Sequence, residues 1–321
     1  MKKYIIKKFF TGILTIMFSF IITFFLIRSA PGNPIKFLAG KDNPNPELIK
    51  HLTIKYGLDK PIPVQFTKYI GNVIKGDFGY SYMSNEPVLK LIGEKVFATI
   101  LLTLTATILA VIIGTFIGIC SARNVGTGLD KFMCGVSYVF DAIPGFWLGL
   151  VLIIIFASTL KILPTSGMYD VRAEYTGILY ILDVGRHMIL PVTTLFLIQT
   201  PLYFRIARSS VLQTMSEDFV LVLRATGMDD KKIFNKYILR NAIIPIVTAF
   251  STSLAFMIGG VTLIEIVFAW PGMGRLIMDA IMKRDYPLLT GVYLMISISI
   301  SMVMIITDII YAIIDPRIRF E

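Results

Sequence analysis

The chain has 321 residues, 55% of them hydrophobic and only 16% charged, with a formal net charge of +10 and a mean hydropathy of +0.74. A soluble protein of this length needs a polar shell, so this much apolar surface requires a bilayer as solvent. The basic excess lacks the aromatic interleaving of a nucleic-acid-binding surface; it fits the lysine and arginine surplus that orients membrane proteins and meets anionic headgroups.

Residues 1–8 carry Lys2, Lys3, Lys7 and Lys8 and are predicted to lie in the cytoplasm. A first span over 9–29 follows, uncharged from Phe9 to Ile27. It looks like a secretory signal, but the apolar run is too long and no small-x-small cleavage site follows, so it reads as a retained anchor. Residues 30–95 form an extracytoplasmic loop domain. There Pro44 and Pro46 precede a helix start at Glu47, and Gly57-Leu58-Asp59-Lys60-Pro61 and Gly76-Asp77-Phe78-Gly79 mark turns between short helices.

The transmembrane core, 96–314, holds five further apolar stretches near the ~20 residues a spanning helix needs. Val96–Ala122 is uncharged, and Phe132–Leu160 carries one charge, Asp141. His187–Phe204 has no Asp, Glu, Lys or Arg, and the shorter run Thr176–Leu182 before it reads as interfacial or external. Asn241–Ile264 and Tyr286–Thr307 are uncharged. The loops holding Arg123 and Lys131, then Arg205, Arg208, Arg224, Lys231, Lys232, Lys236 and Arg240, and the tail 315–321 with Arg317 and Arg319 all fall on the amino-terminal side. That side is therefore cytoplasmic and both termini are inside. The expected fold is an all-α integral membrane protein of about six transmembrane helices.

Covalent chemistry has no visible home. Gly40-Lys41-Asp42 fails at both ends as a Walker loop, and no catalytic triad, carboxylate pair or zinc helix stands out. Cys120 and Cys134 suggest no disulfide framework, and His51 and His187 lie too far apart for metal-ligand spacing. Uphill transport would draw on an ion gradient or on another subunit.

The cytoplasmic coupling loop, 206–245, is the most informative stretch. It reads Leu223-Arg224-Ala225-Thr226-Gly227-Met228-Asp229-Asp230, then Leu239-Arg240-Asn241-Ala242-Ile243-Ile244-Pro245. This is a helix, a glycine break, a second polar helix started by Asp229 and Asp230, and re-entry into the membrane. An ordinary solvated loop and a docking elbow for a cytoplasmic partner both fit that pattern.

Here the chain resembles the permeases of ATP-binding-cassette (ABC) importers, in the peptide/nickel branch. That branch carries Ala-Arg-Ala-x-Gly followed by Leu-Arg-Asn-x-x-x-Pro; Leu221-Val222-Leu223 stands where the wider superfamily has Glu-Ala-Ala. Further matches follow in order: Pro31-Gly32-Asn33-Pro34, the two outer-loop motifs above, Ile143-Pro144-Gly145-Phe146-Trp147 and Leu163-Pro164-Thr165-Ser166-Gly167. Glu265-Ile266-Val267-Phe268-Ala269-Trp270-Pro271-Gly272-Met273-Gly274-Arg275 and the terminal Asp315-Pro316-Arg317-Ile318-Arg319 complete them.

The resemblance implies the type I importer permease fold in a bacterial or archaeal cytoplasmic membrane. It implies half of a translocation path for di- or oligopeptides, completed by a homologous second permease. It also implies two ATPase subunits beneath, which bind ATP and magnesium, and a solute-binding protein outside; this chain would be no enzyme and hold no cofactor. Arg224, Ala225, Thr226, Gly227, Met228 and Asp229 would engage the ATPase through a helix around Ala225 to Lys232. Arg240, Asn241 and Pro245 would tie that elbow to the membrane.

Intramembrane acids and polar groups beside prolines are the candidates for the path: Asp141, Gln199 and Glu265. Helix–helix hydrogen bonding is the structural alternative for each. Gly259-Gly260 would permit close helix approach, and Trp270 would sit at the outer headgroups. Nickel or metal-chelate import is the alternative within the family, and an ion-driven secondary transporter the alternative class.

Overall fold

The computed structural model describes residues 2–29, 35, 46–259 and 261–314. Pro31-Gly32-Asn33-Pro34, Gly40-Lys41-Asp42, Pro44, Gly260 and the tail 315–321 lie outside them. The regular elements described are helical: α1 (Lys2–Ser29), α2 (Pro46–Lys55), α3 (Ile62–Ile74), α4 (Val88–Arg123), α5 (Gly128–Ala142) and α6 (Gly145–Thr159, its end π-helical). Then come α7 (Ile178–Met215), α8 (Asp218–Ala225), α9 (Asp230–Phe256, π-helical over Ile233–Ile238), α10 (Thr262–Val267), α11 (Met273–Lys283) and α12 (Tyr286–Ile314). Among the described residues five helices are long and apolar enough to cross a membrane, and α5 with α6 makes a sixth if the bent pair is one span.

Three expected spans differ in form. Phe132–Leu160 is not one rod: α5 and α6 meet at 97°. Ile143 and Pro144 are extended there, because proline lacks an N–H and pushes its predecessor out of helical geometry. The run Thr176–Leu182 is no separate interfacial piece but leads into the 38-residue α7. The polar residues that interrupt its hydropathy have partners: Asp183 accepts from the Asp170 N–H at 2.7 Å, and Arg186 donates to the Ile162 carbonyl at 3.0 Å. The span predicted to reach Ile264 stops at Phe256, followed by a 3₁₀ turn over Met257–Gly259. Glycine's poor helix propensity accounts for the stop.

The chain divides into two compact units. Unit 1 comprises Met1–Thr99, Ile258–Thr262 and Pro271–Glu321. In it α1 packs along α12, and Phe20 and Phe24 of α1 meet Phe66 and Tyr69 of α3 in one aromatic cluster. The buried Asp285 carboxylate precedes α12. It accepts from the Ser81 hydroxyl, the Tyr82 N–H at 3.1 Å and the Leu288 N–H at 3.3 Å, and so pins the segment around Ser81 and Tyr82 to the start of α12.

Unit 2 comprises Ile100–Met257 and Leu263–Trp270. Helices α4 and α7 touch backbone to backbone: a Cβ on Gly118 would fall 2.6 Å from the Phe204 carbonyl oxygen, and one on Gly114 2.9 Å from that of Thr200. This is the small-residue contact that membrane helices use. Gly259, in unit 1, shows no such approach: among the described residues nothing lies within 4 Å of its Cβ position. Trp270 is completely buried, which fits a packing role. At the other end, Thr127 caps α5, and Asp130 receives both Nε and Nη2 of Arg208 at 2.9 Å, together with the Ser121 hydroxyl. That buried ion pair joins α4, α5 and α7.

Candidate functional site

The stretch from Ser216 to Lys232 is an ordered elbow within unit 2. Helix α8 ends in a Schellman turn: the Gly227 N–H donates to the Arg224 carbonyl at 3.0 Å and the Met228 N–H to the Leu223 carbonyl at 3.3 Å. The turn needs a left-handed residue at its centre, and Gly227 supplies φ +79°. Asp229 then caps α9, accepting from the Lys232 N–H at 3.2 Å, and Arg224 Nε donates to Asp230 at 3.0 Å across the turn. The sequence reading of helix, glycine break and aspartate-started helix holds. The helix itself lies upstream, at Asp218–Ala225 rather than Ala225 to Lys232.

A buried apolar cluster fixes this elbow. Val220 of α8 joins Ala122 of α4, Val211 of α7 and Ile233, Phe234 and Ile238 of α9, with Phe219 and Leu223 packed against them. Arg123 lies over the Phe234 ring, 4.7 Å from its centroid. With Phe219, Val220 and Leu223 turned inward, helical periodicity turns Leu221 and Val222 outward, where they are 71% and 59% exposed. Sequence reasoning noted Leu221 and Val222 only as a departure from Glu-Ala-Ala and missed their exposure. The signal was available in the spacing of their buried neighbours.

The remaining coupling candidates do not converge on the elbow. Asn241 donates to the Tyr237 carbonyl of its own helix at 3.0 Å, and Arg240 and Pro245 are not buried in the elbow but lie along α9. The tie expected of Arg240 and Asn241 is instead made by Arg123 and the apolar cluster.

Asp141 and Gln199 take different partners. Asp141, in the last turn of α5, pairs with Arg205 of α7, and both side chains are partly exposed. Gln199 Oε1 accepts from Thr107 of α4 at 2.9 Å. Pro201 lies inside α7, and the adjacent Thr200 hydroxyl donates to the Phe196 carbonyl at 2.6 Å. Glu265 is completely buried in α10, and its carbonyl accepts from the Trp270 N–H at 2.8 Å.

A multi-helix chain with an apolar, braced elbow has the form of a transport subunit, and the family comparison decides which kind. Residues 111–320 match the model of the binding-protein-dependent transport system inner membrane component, and residues 1–103 match its N-terminal companion. The chain belongs to this permease family.

Its relatives agree along their whole length. The oligopeptide transport system permease protein AppB of Bacillus subtilis is 33% identical, with 100% of both chains covered. The glutathione transport system permease protein GsiC of Salmonella paratyphi A is 34% identical over 100% of both. The di/tripeptide transport system permease protein DppB of Pseudomonas aeruginosa is 33% identical over 94% of each. Among solved structures, a chain of the inward-facing MetNI methionine ABC transporter aligns with a TM-score of 0.56 at 16% identity, covering 72% of this permease and 99% of that chain. The permease is thus a multi-pass membrane component of an ABC importer, a transport subunit and not an enzyme, and it works with ATPase and solute-binding partners.

Proposed function

We propose that this permease forms half of the path by which an ABC importer takes up di- or oligopeptides. The relatives named for oligopeptide, di/tripeptide and glutathione transport support the peptide reading over nickel or a metal chelate. A homologous second permease completes the path, two ATPase subunits dock beneath and bind the ATP and magnesium, and an extracytoplasmic binding protein delivers the peptide. The permease itself needs no cofactor. Both termini face the cytoplasm of a bacterial cell, and residues 30–95 form the outer domain.

The observation that carries the coupling mechanism is the outward Leu221–Val222 pair on a helix that the chain braces from behind. Burying a leucine or valine side chain contributes about 1.5–3 kcal/mol, and an ATPase cleft is the natural place to bury these two. Arg224 through Asp229 form the rim of that contact. ATP binding draws the two elbows of the importer together, the spans tilt, and the path opens outward; hydrolysis resets it. Asp141 with Arg205, and Gln199 two residues before Pro201 within α7, offer polar groups for the path. The complete burial of Glu265 supports a packing role near it.

Reconstitution with the partner permease, the ATPases and the cognate binding protein tests this reading. ATP hydrolysis should rise when the binding protein carries a short peptide and not when it carries a nickel chelate. Stimulation by the chelate alone would transfer the assignment to metal uptake, and failure to bind any ATPase would remove the coupling mechanism.

A further inference from the structure

Six buried side-chain polar atoms lack a hydrogen-bond partner among the described residues. Four of them, Arg28 Nε and Nη1, Gln65 Oε1 and Tyr69 Oη, belong to three residues around a single cavity of about 280 Å³ in unit 1. Buried donors and acceptors are almost always paired, so such a cluster marks a missing ligand. The guanidinium of Arg28 lies between two rings, 5.2 Å from the centroid of Phe24 and 5.5 Å from that of Tyr286, and already donates to the Tyr82 hydroxyl, which leaves Nε and Nη1 for a further acceptor.

Among the described residues no acid lines the cavity, while the exposed Lys60 and Lys68 do. The nearby carboxylates are engaged elsewhere: Asp285 by Ser81, Tyr82 and Leu288, and Asp77 by the Gly79 N–H at 2.8 Å. Burial raises the Tyr69 pKa above its ordinary value, which keeps the phenol neutral and able to donate. The site therefore offers donors to an anion. Among the unpartnered buried atoms it also offers an acceptor, Gln65 Oε1, to a ligand O–H or N–H, since Gln65 Nε2 already donates to the Lys60 carbonyl at 2.8 Å.

A second cavity of about 370 Å³ is lined at Ile27 and Tyr286, the chain neighbours of Arg28 and Pro287 in the first. Leu26, Ile27, Ile281, Leu289 and Tyr293 line it, with the cation Arg284 and with Tyr286, the ring on which Arg28 stacks, so it is apolar except at Arg284. Leu26 and Ile27 lie in the candidate span Ile6–Ser29, and Leu289 and Tyr293 in Tyr286–Thr307. An apolar groove between two spans, ending beside a cation with open donors, matches a lipid tail and its phosphate.

We propose that these two cavities hold one anionic phospholipid, its phosphodiester against Arg28 and its acyl chain in the groove between α1 and α12. A glycerol headgroup supplies the hydroxyl that Gln65 Oε1 lacks. The bound lipid would fasten α3 of the outer segment to the ends of the two spans. The proposal rests on α1 and α12 being membrane spans, for which both are long and apolar enough.

The test is native mass spectrometry of the full-length permease in detergent, with dioleoyl phosphatidylglycerol, phosphatidylethanolamine, phosphatidylcholine or free glycerol 1-phosphate added. Phosphatidylglycerol should be retained at least fivefold over phosphatidylcholine and raise the thermal unfolding midpoint. Arg28→Gln should abolish that preference. Leu26→Trp, at a side chain 66% exposed, should fill the groove and weaken retention without disturbing the fold. If Arg28→Gln fails to fold, Leu26→Trp and the surface pair Lys60→Gln/Lys68→Gln decide.

Equal retention of phosphatidylglycerol and phosphatidylcholine would overturn the proposal, as would unchanged preference in a folded Arg28→Gln chain. Retention of phosphatidylethanolamine equal to phosphatidylglycerol would overturn the anionic assignment. A stabilisation by glycerol 1-phosphate equal to that by the lipid would make this a site for a soluble anion instead. Release of the chain from membranes by alkaline carbonate would break the spanning assignment itself, a different failure.

Discussion

Leu221 and Val222 are large apolar side chains left exposed beside a turn whose backbone hydrogen bonds are made. Replacing Leu221 by Glu removes the burial that docking provides and places a charge in the cleft. Binding-protein-stimulated ATP hydrolysis should fall by roughly tenfold or more, as for a hot-spot residue, while membrane insertion is unchanged. Gly227 is constrained in another way. Its φ of +79° costs a side chain about 1–2 kcal/mol, so Gly227→Leu should uncouple ATP hydrolysis from solute while the chain still inserts. Wild-type coupling in that variant would sever the turn from the mechanism. Asp141 and Arg205 form a cross-helix pair, and Asp141→Asn should lower peptide uptake. Uptake unchanged in Asp141→Asn would remove the pair from the path. If the pair is what matters, Arg205→Gln in the same chain should add no further loss, a comparison that a double-mutant cycle resolves.

At the scale of elements, α4 and α7 depend on the absence of side chains at Gly114 and Gly118. A leucine at Gly118 meets the Phe204 carbonyl and should destabilise the permease by about 1–3 kcal/mol, the usual cost of overpacking. Gly135→Leu, where nothing lies within 4 Å of the Cβ position, should be close to neutral. Thermal unfolding in detergent distinguishes the two, and equal midpoints would mean that the contact carries no stability.

The spans were readable in the sequence because an uncharged run of bilayer length is seldom stable anywhere but in a bilayer. The elbow was readable because Gly227 and Asp229 each have one favoured place around a helix end. The 97° bend was not, since hydropathy does not register that Pro144 lacks an N–H. Nor was the true length of α7, because its polar residues find partners only in the folded chain. Asp141 could be singled out as an intramembrane acid, but its partner Arg205 lies 64 residues away and follows only from the packing of α5 on α7. The Asp130–Arg208 pair escaped for the same reason.

At the scale of the whole molecule, the topology makes a prediction of sides. With Cys120 and Cys134 replaced, a cysteine at the exposed Val171 should react with an impermeant maleimide in intact cells. One at Leu221 should react only after permeabilisation. Labelling of both from outside would invert or break the six-span arrangement. The 38 residues of α7 give a helix of about 57 Å, well beyond the ~30 Å hydrocarbon core of a bilayer. Such a rod reaches past the membrane with the elbow attached to its end, and Arg208 fastens α5 to it near that end. Its length acts as mechanical gain. A swing of about 10° around the far end displaces the elbow by about 10 Å, whereas a helix of bare membrane thickness would move it about half as far. The unusual length thus sets a gear ratio: a small angular change among the spans corresponds to a large stroke at the point where an ATPase would pull.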